Sequence, residues 1–138
     1  MDSPPASLLI LLRSQHGELL ASLERFAGKP PGKREIASFG ERLTEHFQLE
    51  EERYYPGLLN GSSSSRALAK VFQTTARPLS IAAREFVQKW TRNDPAGTPH
   101  AFRKDLEALT RDLSRRFKTE EERLYPFEAA EQKPAPEP

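Results

Sequence analysis

Two side chains with metal-binding chemistry, His46 and Glu50, lie four positions apart in the sequence. On a helix this spacing puts an imidazole and a carboxylate on the same face, where both can reach one metal ion. The segment recurs seventy positions later, because residues 46–56 (HFQLEEERYYP) and residues 116–126 (RFKTEEERLYP) are identical at seven of eleven positions. The chain is therefore predicted to consist of two related halves.

The two copies differ at their first position, where the second copy has Arg116 in place of His46. Glu50 is matched by Glu120, so the carboxylate is present in both halves. A guanidinium carries a permanent positive charge, whereas an imidazole can bind a metal through a free nitrogen. The repeat predicts a site with part of the ligand set of a metal centre and a fixed cation within it.

Apolar residues recur at helical spacing along most of the chain, and strand signals are nearly absent. Clusters of Pro, Gly, Ser and Asn divide this pattern into four helices. These four helices are predicted to form an all-α, up-down-up-down antiparallel bundle built from two related helical hairpins. The expected helices run to about Phe26, from about Arg34 to Tyr55, from about Ser65 to Trp90 and from Thr98 to about Leu124.

Two prolines set expectations for where the helices end or bend. Pro56 is predicted to terminate the second helix, and Pro78 is predicted to kink or split the third. The tyrosines that precede Pro56 and Pro126 are interpreted as packing residues. The bundle is assigned to residues 1–128, and residues 129–138, which are rich in proline, are predicted to be a disordered C-terminal tail.

Composition excludes several classes of function. The formal net charge is +1, from 21 basic and 20 acidic residues, so neither nucleic acid nor a membrane surface is an expected partner. The chain has no cysteine, which excludes thiolate metal sites, iron–sulfur clusters and thiol catalysis. The longest apolar run, residues 8–12, is too short to cross a membrane, and the charged start of a signal peptide is absent. We therefore expect a cytoplasmic protein.

Five polar side chains interrupt the apolar stripes on the predicted core faces: His16 from helix one, His46 and Glu50 from helix two, and Arg116 and Glu120 from helix four. A single inward histidine is most often a hydrogen-bonded core residue. Burying charged groups without partners is costly, however, so these five side chains are expected to contact one another, a metal ion or water. The recurrence of the inward glutamate in both halves favours a functional site.

The pattern His16, then His46-x-x-x-Glu50 with a later Tyr-Pro, resembles the hemerythrin-like, or HHE cation-binding, domain over residues 8–127. Glu120, followed by the second Tyr-Pro, resembles the repeat of that family. The resemblance implies a four-helix bundle that holds a non-haem di-iron centre through histidines and one bridging carboxylate from each half. Such centres bind or sense oxygen or handle reactive species. By position, His16, His46, Glu50 and Glu120 match expected ligands, and iron is the implied cofactor.

Two ligands implied by the resemblance are missing from this chain. The helix-four histidine is Arg116, and helix three contains no histidine at the expected position, which lies near Thr75. The remaining histidine, His100, stands at the start of helix four, several turns from Glu120, and does not fill the gap. The sequence therefore indicates an incomplete, degenerate di-iron site.

Two interpretations of this altered site remain open. The sequence slightly favours a metal-free site in which Arg116 forms a buried ion-pair network with Glu50 and Glu120, surrounded by the hydrogen-bonded side chains of His16 and His46. The alternative is a single metal ion, such as iron, manganese or zinc, on His16, His46 and Glu50, with Glu120 as a further ligand. Arg116 would oppose that ion by charge repulsion. No nucleophile–base arrangement is present, so we expect a binding or regulatory protein and not an enzyme.

A weaker resemblance points to a protein partner. Residues 28–33 (GKPPGK), the pair His46-Phe47 and the spacing of Leu113, Arg116 and Glu120 look like metal-free four-helix regulators that bind the primary bacterial sigma factor. Those regulators are longer than this chain. The resemblance implies that a bundle of this kind binds a protein partner, such as a sigma factor. The sequence leaves the oligomeric state open.

The importance of the predicted cation can be tested by unfolding. Replacing Arg116 with Ala is expected to lower the free energy of unfolding by about 3–5 kcal/mol, because buried carboxylates lose their partner. Urea unfolding of the variant and the wild type measures this difference. An unchanged free energy of unfolding would show that Arg116 is not part of a buried network.

Overall fold

The computed structural model describes residues 5–126, and the side chains from residue 7 onward. Four long helices form the molecule, and no strand occurs within the described range. Two of the helices continue into a short π-helical turn. The elements in chain order are α1 (Pro5–Gly28), α2 (Lys33–Leu49), π1 (Glu50–Tyr54), α3 (Tyr55–Leu59), α4 (Ser63–Arg92), α5 (Pro99–Thr119) and π2 (Glu120–Leu124).

The four long helices pack as a closed ring. α1 packs against α2 and α5, and α4 packs against the same two helices from the other side. The connections between consecutive helices are short, as an up-down-up-down bundle requires. Ser62 caps α4 by accepting a hydrogen bond from the Ser65 amide, and Pro99 occupies the first turn of α5. The predicted all-α four-helix bundle is confirmed.

The sequence predicted that the second helix ends at Tyr55, but the structure shows that it continues. The chain passes from α2 through π1 into α3 and stays helical to Leu59. Pro56 does not break it, because this proline falls in the first turn of α3, where a missing backbone N–H is tolerated. Pro78 does not split the third helix either, since α4 runs without interruption from Ser63 to Arg92.

The two π turns occupy the same position in both halves of the repeat. The Tyr55 amide donates to the Glu50 carbonyl, and the Tyr125 amide donates to the Glu120 carbonyl, each across five residues. The hydroxyl of Tyr54 donates to the carbonyl of Leu124 at 3.2 Å, which joins the two turns directly. π turns inside α-helices are frequent at functional sites. Here each begins at the inward glutamate.

The core consists of two apolar clusters with a polar layer between them. One cluster surrounds Leu19, Leu43 and Leu113, and the other surrounds Leu12 and Leu124. Five of the seven buried polar residues lie between these two levels on α1, α2–π1 and α5–π2: His16, His46, Glu50, Arg116 and Glu120. The fold thus places the inward residues of both halves in one layer of the bundle.

No helix of residues 5–126 has both the length and the apolar character needed to cross a membrane. The predicted tail, residues 129–138, and the last two residues assigned to the bundle, 127–128, lie outside the described range.

Candidate metal centre

Four predicted ligands come together in the polar layer. Each residue offers one atom that could bind a metal, and these atoms all lie within 4.8 Å of one another: His16, His46, Glu50 and Glu120. The four side chains are buried, with at most 1% of the residue surface exposed. Two ligand atoms on opposite sides of one ion would be about 4.2 Å apart, given bonds of about 2.1 Å. A small inward shift of these side chains is therefore enough to bind a single ion.

His46 is oriented by a neighbour from α1. Its Nδ1 lies 2.7 Å from the Gln15 Oε1, which accepts the Nδ1 proton. The other ring nitrogen, Nε2, then carries a lone pair directed into the polar layer. It lies 3.7 Å from the Glu50 Oε1 and 4.0 Å from the Glu120 Oε1. Neither His46 Nε2 nor Glu50 Oε1 has a hydrogen-bond partner among the residues that the structure describes.

His16 is held in the same way by a carboxylate. Its Nδ1 lies 2.6 Å from the Glu121 Oε2, and its Nε2 lies 2.9 Å from the Glu120 Oε1. Since an ionised carboxylate only accepts, the Nδ1 proton is donated to Glu121, and a metal ion bound at Nε2 would take the place of the proton that Nε2 donates to Glu120. A carboxylate behind an imidazole is the arrangement that orients metal-binding histidines. The Phe117 ring stacks on His16 at 4.0 Å and fixes its plane.

Tyr125 brings one hydroxyl proton to three acceptors. Its oxygen lies 3.1 Å from the Glu50 Oε2, 3.2 Å from the His16 Nε2 and 3.3 Å from the Glu120 Oε1. π2 makes this contact possible, because the wider turn brings residue i+5 over the glutamate at residue i. One proton cannot satisfy three acceptors at once.

At the centre of the layer, two buried atoms have no hydrogen-bond partner among the described residues: His46 Nε2 and Glu50 Oε1. The histidine Nε2 atoms and the carboxylate oxygens of Glu50 and Glu120 converge there, and Tyr125 supplies one proton. Buried polar groups in folded proteins are almost always paired. A cation bound among these atoms would satisfy them together, including the two that have no partner. The ligand set fits a metal ion on this ground.

Arg116 lies at the edge of the same layer. Its Nε donates to the Glu120 Oε2 at 2.9 Å, and its Nη1 donates to the Thr75 hydroxyl at 2.8 Å. Its Nη2 donates to the Tyr55 hydroxyl and to the Phe72 carbonyl, both at 2.9 Å. The position near Thr75, where the resemblance implied a helix-three ligand, thus contacts the residue that replaces the helix-four ligand.

The predicted contact between Arg116 and Glu50 does not form. Both terminal nitrogens of the guanidinium are directed to groups on α3 and α4, and its only carboxylate partner within residues 5–126 is Glu120. Glu50 instead accepts from the Tyr125 hydroxyl. The expected three-residue ion network is therefore a pair, Arg116 with Glu120, and the other carboxylate lies on the histidine side.

Burial and neighbouring charges separate the pKa values of the two carboxyl groups. Burial, reinforced by the Glu120 charge, raises the pKa of Glu50 well above its ordinary value. Burial opposes ionisation of Glu120 as well, but the hydrogen bond with His16 and the Arg116 charge lower its pKa. Burial lowers the pKa of His46 to about 4. In the metal-free site Glu120 therefore ionises more readily than Glu50, and His46 is neutral near neutral pH.

Four residues of the site were not identified from the sequence: Gln15, Tyr55, Glu121 and Tyr125. Gln15 and Glu121 stand beside predicted ligands in the sequence, so side chains that bind the histidine Nδ1 atoms could have been sought at adjacent positions. The tyrosines were interpreted as packing residues. In an α-helix, residue i+5 lies on a different face from residue i. A π turn brings each tyrosine to the same face as the glutamate five residues before it, and the sequence pattern does not indicate a π turn.

Fold and site together define a four-helix bundle with a buried histidine–carboxylate centre at mid-height. The family of hemerythrin HHE cation binding domains matches residues 7–127. The chain belongs to this family. No match was found among curated proteins or among solved structures.

The lowered pKa of His46 predicts an acid-dependent loss of stability. The unfolded chain binds a proton at His46 below pH 6.5, whereas the folded chain does so only below about pH 4. The contribution of His46 to the free energy of unfolding is therefore fully present above pH 6.5. As the pH falls to 4, roughly 3 kcal/mol of this free energy is lost. His46 faces Glu120, His16 and Arg116, and Glu50 acts in the opposite direction, since its raised pKa favours folding at low pH.

Comparison with His46→Gln isolates this contribution. Urea unfolding of the metal-free protein at pH 7 and at pH 4 should show a larger loss for the wild type than for His46→Gln. His100→Gln is the matched control, because His100 is exposed and should behave as the wild type. Equal losses in the wild type and in His46→Gln would contradict the assignment.

Proposed function

We propose that this chain is a hemerythrin-like domain that binds one metal ion through His16, His46, Glu50 and Glu120. The observation that carries the proposal is the pair of buried atoms without partners, His46 Nε2 and Glu50 Oε1, directed toward the other ligand atoms. A metal-free network would be expected to satisfy these atoms internally. The unsatisfied atoms favour the single-metal alternative over the metal-free one.

The donor set narrows the choice of metal. Two imidazoles and two carboxylates are borderline-to-hard ligands, and the chain has no thiolate to favour a soft ion. Iron(II), manganese(II) and zinc(II) suit such a set, and the family supports iron. When bound, iron in a nitrogen and oxygen environment would supply a redox-active centre able to take a further small ligand.

The protein's own residues prepare the site for that ion. Gln15 and Glu121 hold the histidine Nδ1 protons, so both Nε2 atoms are available as ligands. The Tyr125 hydroxyl donates a hydrogen bond to the Glu50 Oε2 and thereby orients the Glu50 carboxylate. An apolar cluster packs on either side of the layer and keeps these side chains in place.

Arg116 occupies the place of a second cation. It neutralises the Glu120 Oε2, while the Oε1 of the same carboxylate faces the histidines. All three of its nitrogens already donate to protein groups. A second metal ion beside this guanidinium would be repelled and would lack ligands. We therefore propose a site for one metal, with binding or regulation and not catalysis as its role.

A metal-free regulatory domain that binds a protein partner is the second candidate. The observation that favours it is the buried Arg116–Glu120 pair, which supplies a positive charge to the layer without any ion. Metal-dependent stability separates the two candidates.

The proposal predicts that metal stabilises the fold through His46. Thermal unfolding of the apo protein should shift upward on anaerobic addition of Fe(II). At a concentration 100-fold above the dissociation constant, the gain is about 2.7 kcal/mol. Because it removes a ligand, His46→Ala should abolish most of the shift. His100→Ala, which removes the exposed histidine, should preserve it.

Two results of the same experiment would contradict a metal site that includes His46. If Fe(II), Mn(II) and Zn(II) all leave the unfolding temperature of the wild type unchanged, the site does not bind these ions and the metal-free candidate stands. An equal shift in the wild type, His46→Ala and His100→Ala would place metal binding elsewhere on the surface.

A further inference from the structure

A groove of about 910 Å³ runs along the outer face of the bundle between α2 and α4. Its floor is apolar and is formed by Gly40, Leu43 and Phe47 from α2 and by Ala83 and Val87 from α4. Of these, Leu43 and Ala83 are buried, whereas Gly40, Phe47 and Val87 are half-buried and accessible from the groove. It is distinct from the four ligand atoms, which lie on the inner faces of the helices.

Small residues create this groove. A Cβ at Gly40 would lie 3.0–3.1 Å from the side-chain methyls of Val87, so the two helices approach closely at this point. Ala83 adds a second small residue to the floor. The larger side chains of α2 and α4 therefore stand at the edges of a shallow apolar depression and do not fill it.

One edge of the groove is acidic. Four glutamates line the groove, and one of them, Glu51, accepts a hydrogen bond from Gln73. The other three follow one another at helical spacing along the same edge: Glu41 and Glu45 on α2 and Glu52 on π1. All three are exposed, and none forms an ion pair with another described residue. The opposite edge presents Ser80, Gln88 and Thr91, with Arg84 as the one cation among the lining residues.

We propose that the groove between α2 and α4 docks a basic amphipathic helix of a partner protein. The apolar face of such a helix would cover Phe47 and Val87, as in helix-in-groove recognition. Lysine or arginine side chains beside that face would pair with Glu41, Glu45 and Glu52. Charge complementarity selects this partner, because an acidic or uncharged helix would leave the three carboxylates unpaired at a closed interface.

The proposal does not depend on metal binding. The groove is built from outward-facing residues, and its acidic edge contains none of the four proposed ligands. The test is therefore done on the full chain in the presence of a chelator. Its result is independent of whether Fe(II) stabilises the fold.

The probe is a fluorescein-labelled peptide of about 18 residues, or five helical turns, with leucine on one face and lysine on the other. Fluorescence anisotropy gives its dissociation constant. A combined Glu41→Gln, Glu45→Gln and Glu52→Gln variant should bind about tenfold more weakly, because three exposed ion pairs are lost. Thr44→Trp, which places a large ring in the groove from an exposed position, should abolish binding.

The matched control removes the same charge elsewhere. A combined Glu18→Gln, Glu24→Gln and Glu107→Gln variant changes exposed glutamates on α1 and α5, away from the groove, and should bind as the wild type does. Equal weakening in both triple variants would overturn the proposal. So would equal binding of a scrambled peptide without an apolar face, since the attraction would then be charge alone.

The remaining outcomes are also decisive. Absence of peptide binding to a folded wild-type protein, verified by circular dichroism, would overturn the proposal. Self-association in size-exclusion chromatography that Thr44→Trp removes would show that a second copy of this chain covers the groove. That result would replace the partner helix by a dimer interface.

Discussion

The structure depends on the buried carboxylate of Glu120, whose two oxygens face different sides of the polar layer. Oε2 pairs with Arg116, and Oε1 faces the histidines from α1 and α2. A fully buried carboxylate requires compensating charge or hydrogen bonds. The guanidinium compensates one oxygen by itself. On the other side two buried atoms, His46 Nε2 and Glu50 Oε1, have no hydrogen-bond partner among the described residues, and the proposed metal ion would satisfy them.

The π turns connect the repeated sequence to this arrangement. Each begins at an inward glutamate and brings a tyrosine five residues later into the layer, Tyr55 toward Arg116 and Tyr125 toward the carboxylates. Equivalent tyrosines of the two halves therefore make different contacts. Tyr55 accepts a hydrogen bond from Arg116, and Tyr125 donates a hydrogen bond to Glu50. Because one repeat has His46 where the other has Arg116, these two matching positions are chemically distinct.

The fold and the four candidate ligands were predictable from the sequence, because helical periodicity assigns His16, Glu50 and Glu120 to inward faces and the repeat relates the two glutamates. The contact of Arg116 with Glu50 was predicted and does not form. Its long side chain can point along the helix in either direction, and only packing against Tyr55 and α4 determines which groups it reaches. The tyrosine contacts depend on a local change of helix type, which periodicity at 3.6 residues per turn does not reveal.

In the proposed site, one metal ion and one guanidinium together complete the polar layer. Metal content measures this directly. The protein is refolded anaerobically with excess Fe(II), desalted and analysed by mass spectrometry for iron per chain. A site for one metal ion predicts one iron per chain. Two irons per chain would show that Arg116 does not replace a metal, and no bound iron would show that the unsatisfied atoms around His46 are not ligands of this ion.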